Sequence, residues 1–305
     1  MLLAFQGAVA QGVLWGIMVL GVYITFRLLD IADLTVDGSF ALGGCVCAVL
    51  IVERGINPLL GLVAGLLVGV VAGAVTGLLN TLFDIPAILA GILTQIGLWS
   101  VNLRIMGKAN IPLLKNPNIF TGFAKAAGLP QNLATIIIGG IVAASLVAIL
   151  YWFFGTEIGS ALRATGNNEH MVRALGVDTR VTKLIALMVS NGLVGLSGAL
   201  VCQSQKYADV GMGTGAIIVG LAAIVIGEVL GRLMPGKLRS FSSRLIAAVV
   251  GSIVYFLIRA IVLQLGLDPN DMKLLSAIIV ALALSVPVVW ERQQLRASYL
   301  KGGEA

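Results

Sequence analysis

Between Arg54 and Asp84 the chain runs for 29 residues without a charge. That stretch decides the fold class, because about 20 apolar residues cross the hydrocarbon of a bilayer. In lipid the backbone must satisfy its own hydrogen bonds, which a helix does locally. Similar windows fall at 8–27, 34–52, 58–82, 86–106, 132–154, 183–205, 212–230, 243–263 and 274–290. They predict an all-α polytopic membrane bundle of about nine transmembrane helices, within eight to ten, forming one domain over 1–305. A membrane β-barrel would alternate in segments of about ten residues, whereas these runs are continuous and aliphatic. Composition agrees: 58% of residues are hydrophobic and 11% charged, against about 25% charged in soluble domains.

The net charge of +6 reads as membrane topology and not as nucleic-acid affinity, because the basic residues cluster beside the spans. With the N-terminus outside, twelve Lys and Arg residues fall on the inner side, including Arg27, Arg163, Arg173, Arg180, Lys183 and Arg244. Seven fall outside, diluted in a longer segment over 107–131, and Arg259 stays within a span. The positive-inside bias therefore predicts a cytoplasmic C-terminus and a cytoplasmic loop at 155–182. The segment 107–131, with Pro112, Pro117 and Pro130, is expected to be an external loop with a short amphipathic piece near 119–128. The first positive charge is Arg27, so no cleaved signal peptide is expected. Cys45, Cys47 and Cys202 lie in apolar windows and read as small hydrophobic packing residues.

Two patterns hint at how the spans are arranged. Gly61, Gly65, Gly69, Gly73 and Gly77 recur every four residues, which puts them on one helical stripe. Such a stripe lets a neighbouring backbone approach closely, either as static packing or as a surface for sliding. At an offset of 176 residues, Gly16 matches Gly192 and Ala32-Asp33 matches Ala208-Asp209. The offset spans an odd number of helices, so the copies point in opposite directions, as in an inverted repeat with a route near the midplane.

The stretches at 30–44 and 209–220 each put small and polar residues at the start of a span, where exposed N–H groups need partners. Thr35, Asp37, Ser39, Phe40, Gly213 and Thr214 from these stretches, with Gln95 and Asn191 as uncharged polar residues in spans, are the candidates for a translocation route. Asp30 and Asp33 read as anchors before the second span, and Asp37 as a carboxylate suited to that helix's own dipole. Asn102, Gln203 and Gln264 are further polar residues available to interhelical hydrogen bonds. Glu228 and Arg232, four residues apart, could pair.

The segment 154–183 interrupts the apolar pattern with seven charged residues and the chain's one histidine, His170. Asn167 or Asn168 can cap a short helix, with Glu169 in its first turn, Arg173 near its end and Gly176 just past it. About two turns result, roughly 11 Å long. Met171, Val172, Ala174 and Leu175 would give this knob apolar surface. Read as more than a solvated connector, it is a docking element. No phosphate-binding glycine loop, His-Glu-x-x-His or Gly-x-Ser-x-Gly pattern occurs, and one histidine builds no metal site. Any work done by the chain is expected to draw on a partner or a gradient.

The run from Thr156 to Asn167 (TEIGSALRATGN), with Ala174-Leu175-Gly176-Val177 after it, resembles the cytoplasmic loop of bacterial ABC-importer permeases of the branched-chain amino acid and ribose class. Asn191-Gly192-Leu193-Val194-Gly195-Leu196-Ser197-Gly198-Ala199 resembles that family's small-residue span, and Asp33-Leu34-Thr35-Val36-Asp37-Gly38 its D-L-S-V-G motif with an Asp inserted. The insertion is similar to a subgroup associated with aromatic amino acid uptake. The sequence departs from the family at Gly227-Glu228, where a Gly-Gly pair is usual.

The resemblance implies a type II importer permease with inverted repeats, sitting in the bacterial inner membrane as a homodimer. Its implied partners are two ATPase subunits, which bind the ATP and magnesium, and an extracytoplasmic binding protein. The permease itself would hold no cofactor and catalyse nothing. The resemblance also assigns coupling to the ATPase to Arg163, Ala164, Thr165, Gly166, Asn167, Asn168, Glu169, His170, Met171, Arg173, Ala174, Leu175 and Gly176. A gradient-driven secondary transporter would share the repeats but usually carries a membrane-embedded acidic residue for ion coupling.

Overall fold

A computed structural model describes residues 2–114, 116–233 and 240–266, together with 271, 274, 276–279, 281, 282 and 285. Its helices are α1 (Leu2–Tyr23), α2 (Thr35–Val52), α3 (Pro58–Thr81), α4 (Ala87–Met106), α5 (Ile119–Ala127) and α6 (Gln131–Phe153). After them come α7 (Glu157–Asn167), α8 (Glu169–Ala174), α9 (Thr179–Gln205), α10 (Ala216–Leu233) and α11 (Phe241–Gln264). One π-helical turn over Ile24–Leu28 extends α1. Two short strands, β1 (Asn110–Pro112) and β2 (Tyr207–Asp209), pair antiparallel with Asn110 opposite Asp209.

Seven described helices are long and apolar enough to span a membrane, and they match the first six windows and the eighth. The expected ninth window falls mostly outside the described residues. The seventh is corrected at its start: 212–215 is not helical, and α10 begins at Ala216. The bundle has two distinct ends. One, here the loop end, carries α7, α8 and the start of α9. The other, the hairpin end, carries β1–β2 and α5, whose cap Asn118 accepts the Thr121 N–H at 2.6 Å.

Helix α9 is the central element, packed on α1, α2 and α3. The α3 glycine stripe explains the closest of these contacts. A methyl at Gly69 would strike the Asn191 carbonyl, and one at Gly73 the Leu187 carbonyl. The opposite face of α3 exposes Leu59, Val63, Leu67 and Val71, again at helical spacing, as a lipid-facing surface requires.

The repeat at offset 176 is visible in the hydrogen bonds. Ser197 Oγ donates to the Leu14 carbonyl at 2.8 Å, and Ser190 Oγ donates to the Gly21 carbonyl at 2.8 Å. The offset maps Leu14 onto Ser190 and Gly21 onto Ser197, so the two contacting residue pairs exchange under a two-fold operation, with both serine donors on α9. The same operation relates α1 to α9, α2 to α10 and α3 to α11. It also relates the contact of α3 with α9 to that of α11 with α1. The inverted-repeat expectation therefore has a physical counterpart in the packing.

Candidate functional site

The loop between α6 and α9 holds two helices where the sequence suggests one. Thr156 caps α7, its hydroxyl accepting the Gly159 N–H at 3.3 Å. Leu162 is fully buried, and Gly166 lies so close to the Leu28 carbonyl at the π-turn that a methyl would collide with it. Asn168, not Asn167, caps α8 by accepting the Met171 N–H at 3.0 Å. Gly176 follows with φ +85°, the left-handed conformation expected past a helix end.

Of the four apolar residues expected on the knob, Val172 turns inward and is buried, which corrects that assignment. Met171 (53% exposed) and Leu175 (73%) form the outward surface, with Ala174 also exposed beside His170 and Arg173. Arg163 is exposed too and sits 5.5 Å from the Phe241 ring, whereas Ala164 is half-buried and Thr165 buried against Thr182.

Glu169 ties this knob to α9. Its Oε1 accepts from Arg173 at 2.7 Å and from the Thr179 hydroxyl at 3.1 Å, while Oε2 accepts from Lys183 Nζ at 2.7 Å. The Lys183 hydrogen bond holds the carboxyl below its ordinary pKa against the opposing effect of partial burial. Two turns after Lys183, α9 presents a buried polar network. Asn191 Nδ2 donates to Asp33 Oδ2 at 2.6 Å, and Asn191 Oδ1 accepts from Ser39 at 2.7 Å. Asp33 Oδ1 accepts the Thr35 N–H at 2.9 Å. Thr35 continues the chain through Thr76 (2.7 Å) to Thr94 (3.0 Å). Knob, central helix and the start of α2 form one connected path.

In the first turn of α2, Asp37 does something its own sequence neighbours do not indicate. It serves the start of α10 and not that of α2, accepting from the Gly215 N–H at 2.8 Å and the Ile217 N–H at 3.0 Å. Gly213 lies against the Asp37 carbonyl with no space for a Cβ. Two helix starts thus face each other. From Ile217, α10 needs about 16 Å at 1.5 Å per residue to reach Glu228, which pairs with Arg27 at 2.7 Å. The expected pairing of Glu228 with Arg232 involves a side chain outside the described residues. The facing helix starts therefore sit near the middle of a core about 30 Å thick.

A cavity of about 530 Å³ opens beside Asp37, lined also by Trp15, Tyr207, Thr214, Tyr255 and Arg259. Trp15, Gln205 and Arg259 also line a second hollow of about 420 Å³ that extends along α1 and α11 to Gln264, at the hairpin end. Of the eight route candidates, Asp37 and Thr214 line this cavity. Phe40 backs it, its ring 4.7 Å from that of Trp15. Thr35, Ser39 and Asn191 belong to the buried network, and Gly213 is a packing residue. Gln95 lies on α4, against Gly38, and lines neither hollow.

Sequence reasoning missed Trp15, Tyr207 and Tyr255. It registered Arg259 as a charge within a span, the one signal that could have located the cavity. Asn102, expected to bond between helices, is buried with no partner among the described residues. At the loop end a separate hollow of about 400 Å³ is lined by Arg27, Arg163, Gly166, Asn167 and Arg244.

The family described as branched-chain amino acid transport system, permease component, matches residues 5–284. The tyrosine transport system permease protein of Clostridioides difficile (strain R20291) is 35% identical over 270 residues, covering 88% of this chain and 86% of its own length. The ribose import permease protein RbsC of Escherichia coli K12 is 27% identical, covering 83% of this chain and 76% of its own. A nucleoside ABC transporter permease protein of Lactococcus lactis is 31% identical over 138 residues, covering 44% of this chain and 40% of its own. No solved structure matches.

Proposed function

The chain belongs to the branched-chain amino acid transport system permease family, and from that premise we propose that it is the translocating subunit of an ATP-driven importer for an amino acid. The similarity to a tyrosine transport permease favours an aromatic substrate over a branched-chain one. Two copies of the chain would each seat one α8 knob in one of two ATPase subunits, which supply ATP hydrolysis with magnesium. A binding protein would deliver solute at the hairpin end. The loop end is then cytoplasmic, and the N-terminus lies outside a bacterial inner membrane, in keeping with the basic residues at the loop end.

The observation that carries this reading is the continuous path from an exposed apolar knob, through Glu169 and Lys183, to Asn191 and Asp33. Closure of the ATPase dimer displaces the knob. Because Glu169 clamps α8 to α9, the displacement is passed to α9, which presses on the start of α2 and hence, through Asp37, on α10. Differential affinity of the ATPase for two arrangements of these helices supplies the free energy of alternating access. A gradient-driven carrier would need no exposed Met171 and Leu175 at its cytoplasmic face.

The test is co-purification of the chain with its ATPase. Arg173→Glu combined with Gly176→Leu should abolish transport-coupled ATP hydrolysis while leaving the bundle folded. A variant that retains full complex formation and coupled hydrolysis would remove α8 from the coupling role.

A further inference from the structure

We propose that the cavity beside Asp37 is a docking station for a zwitterionic amino acid with an aromatic side chain, its carboxylate held by Arg259 and its ammonium facing Asp37. This rests on the permease reading and extends it to a binding site on the permease itself.

The cavity holds one charge of each sign. Arg259 lies in α11 five residues before Gln264, and its guanidinium makes no hydrogen bond or ion pair to any described residue, only a contact 5.8 Å from the Phe256 ring. A cation placed within a membrane helix is costly and is retained where it has a partner or a role. A planar guanidinium with five donors matches a carboxylate in two-pronged geometry.

On another wall, Asp37 uses each oxygen once, for Gly215 and Ile217. An ionised carboxylate has about four acceptor positions, so both oxygens can still accept from an ammonium. The pair of opposite charges suits a ligand that is itself neutral overall but polarised. It does not suit a sugar, which would leave Arg259 desolvated without a counter-charge.

The remaining lining is aromatic. Trp15, Tyr207 and Tyr255 supply ring surface, and the Trp15 Nε1–H is buried with no partner among the described residues. At about 530 Å³ the cavity falls within the roughly 300–1,000 Å³ typical of small-molecule sites.

The experiment uses the full importer (this chain, its ATPase and its binding protein) in proteoliposomes, with labelled L-tyrosine and labelled D-ribose as probes and ATP hydrolysis recorded in parallel. The expected result is ATP-dependent uptake of L-tyrosine that falls at least tenfold in Arg259→Gln and recovers in part in Arg259→Lys, with both variants still purifying as a monodisperse complex with the ATPase. Added in excess, a tyrosine analogue lacking the carboxylate (tyramine) or the ammonium (4-hydroxyphenylpropionate) should compete at least tenfold less well than L-tyrosine. Tyrosine uptake unchanged in Arg259→Gln, or uptake of ribose in place of tyrosine, would overturn the zwitterion site while leaving the permease reading intact. Uptake that proceeds without ATP would instead reject the permease reading.

Discussion

Asp37 Oδ2 accepts the backbone N–H of Gly215 at 2.8 Å, across 178 residues of chain. The carboxylate substitutes for the cap that α10 lacks in its own sequence, and it joins the turns between β2 and α10 to the centre of the bundle. Asp37→Ala would strip two N–H groups of their acceptor in a half-buried site. The cost is about 1–3 kcal/mol, seen as a lower thermal midpoint of the purified protein in detergent. Asp37→Asn keeps an acceptor oxygen and should lose less than half as much.

The α3 stripe predicts a contrast between glycines of similar sequence setting. Gly73→Ala places a methyl against the Leu187 carbonyl, and backbone cannot yield as a side-chain tip can. Overpacking of this kind costs about 1–3 kcal/mol or more, and size-exclusion profiles should show loss of monodisperse protein. Gly97→Ala on α4 and Gly140→Ala on α6 meet nothing within 4 Å and should stay within about 0.5 kcal/mol of the parent.

The serine bonds at the two exchanged contacts allow the equivalence of those positions to be tested energetically. Ser190→Ala and Ser197→Ala each remove one bond of the same length to a carbonyl on α1. Interhelical side-chain bonds in membranes average about 0.6 kcal/mol, so the two losses should be similar and near that value in denaturant unfolding. A loss three times larger on one side would mean that the two positions are not equivalent.

The Glu169 clamp has a defined pH dependence. Its carboxyl titrates below its ordinary value because Lys183 holds the ionised form. The stabilisation is thus fully present above the ordinary carboxylate pKa of about 4.3 and is lost as pH falls through the depressed folded value. Glu169 is partly exposed, so the effect on global stability stays below about 1 kcal/mol. Hydrogen exchange over 169–176 should be flat between pH 6 and 8 once corrected for intrinsic rates, and Glu169→Gln should raise it throughout that range.

Most of the membrane helices were legible because hydrocarbon thickness sets a length that a continuous apolar run must meet, and 58–82 differs from Pro58–Thr81 by one residue. The cap at Asn168 was legible because capping is a local matter. Helix α7 was not: its Gly159, Thr165 and Gly166 lower helix propensity, and what holds it is burial of Leu162 and the fit of Gly166 under Leu28. The start of α10 was placed too early because hydropathy cannot register a cap lent by a residue 180 positions away. The cavity was hidden for the same reason, since Trp15, Asp37, Tyr207 and Arg259 meet only once α1, α2 and α11 are in place.

Asp37 and Gly213 are also partners under the 176-residue offset, and they touch. A two-fold axis running between them forces each position to confront its own counterpart. Two carboxylates there would repel, and two side chains of any size would not fit between backbones already in contact. One copy must therefore supply the functional group and the other must supply empty space. The duplication can be symmetric along its whole length except at the point where symmetry would bring like against like.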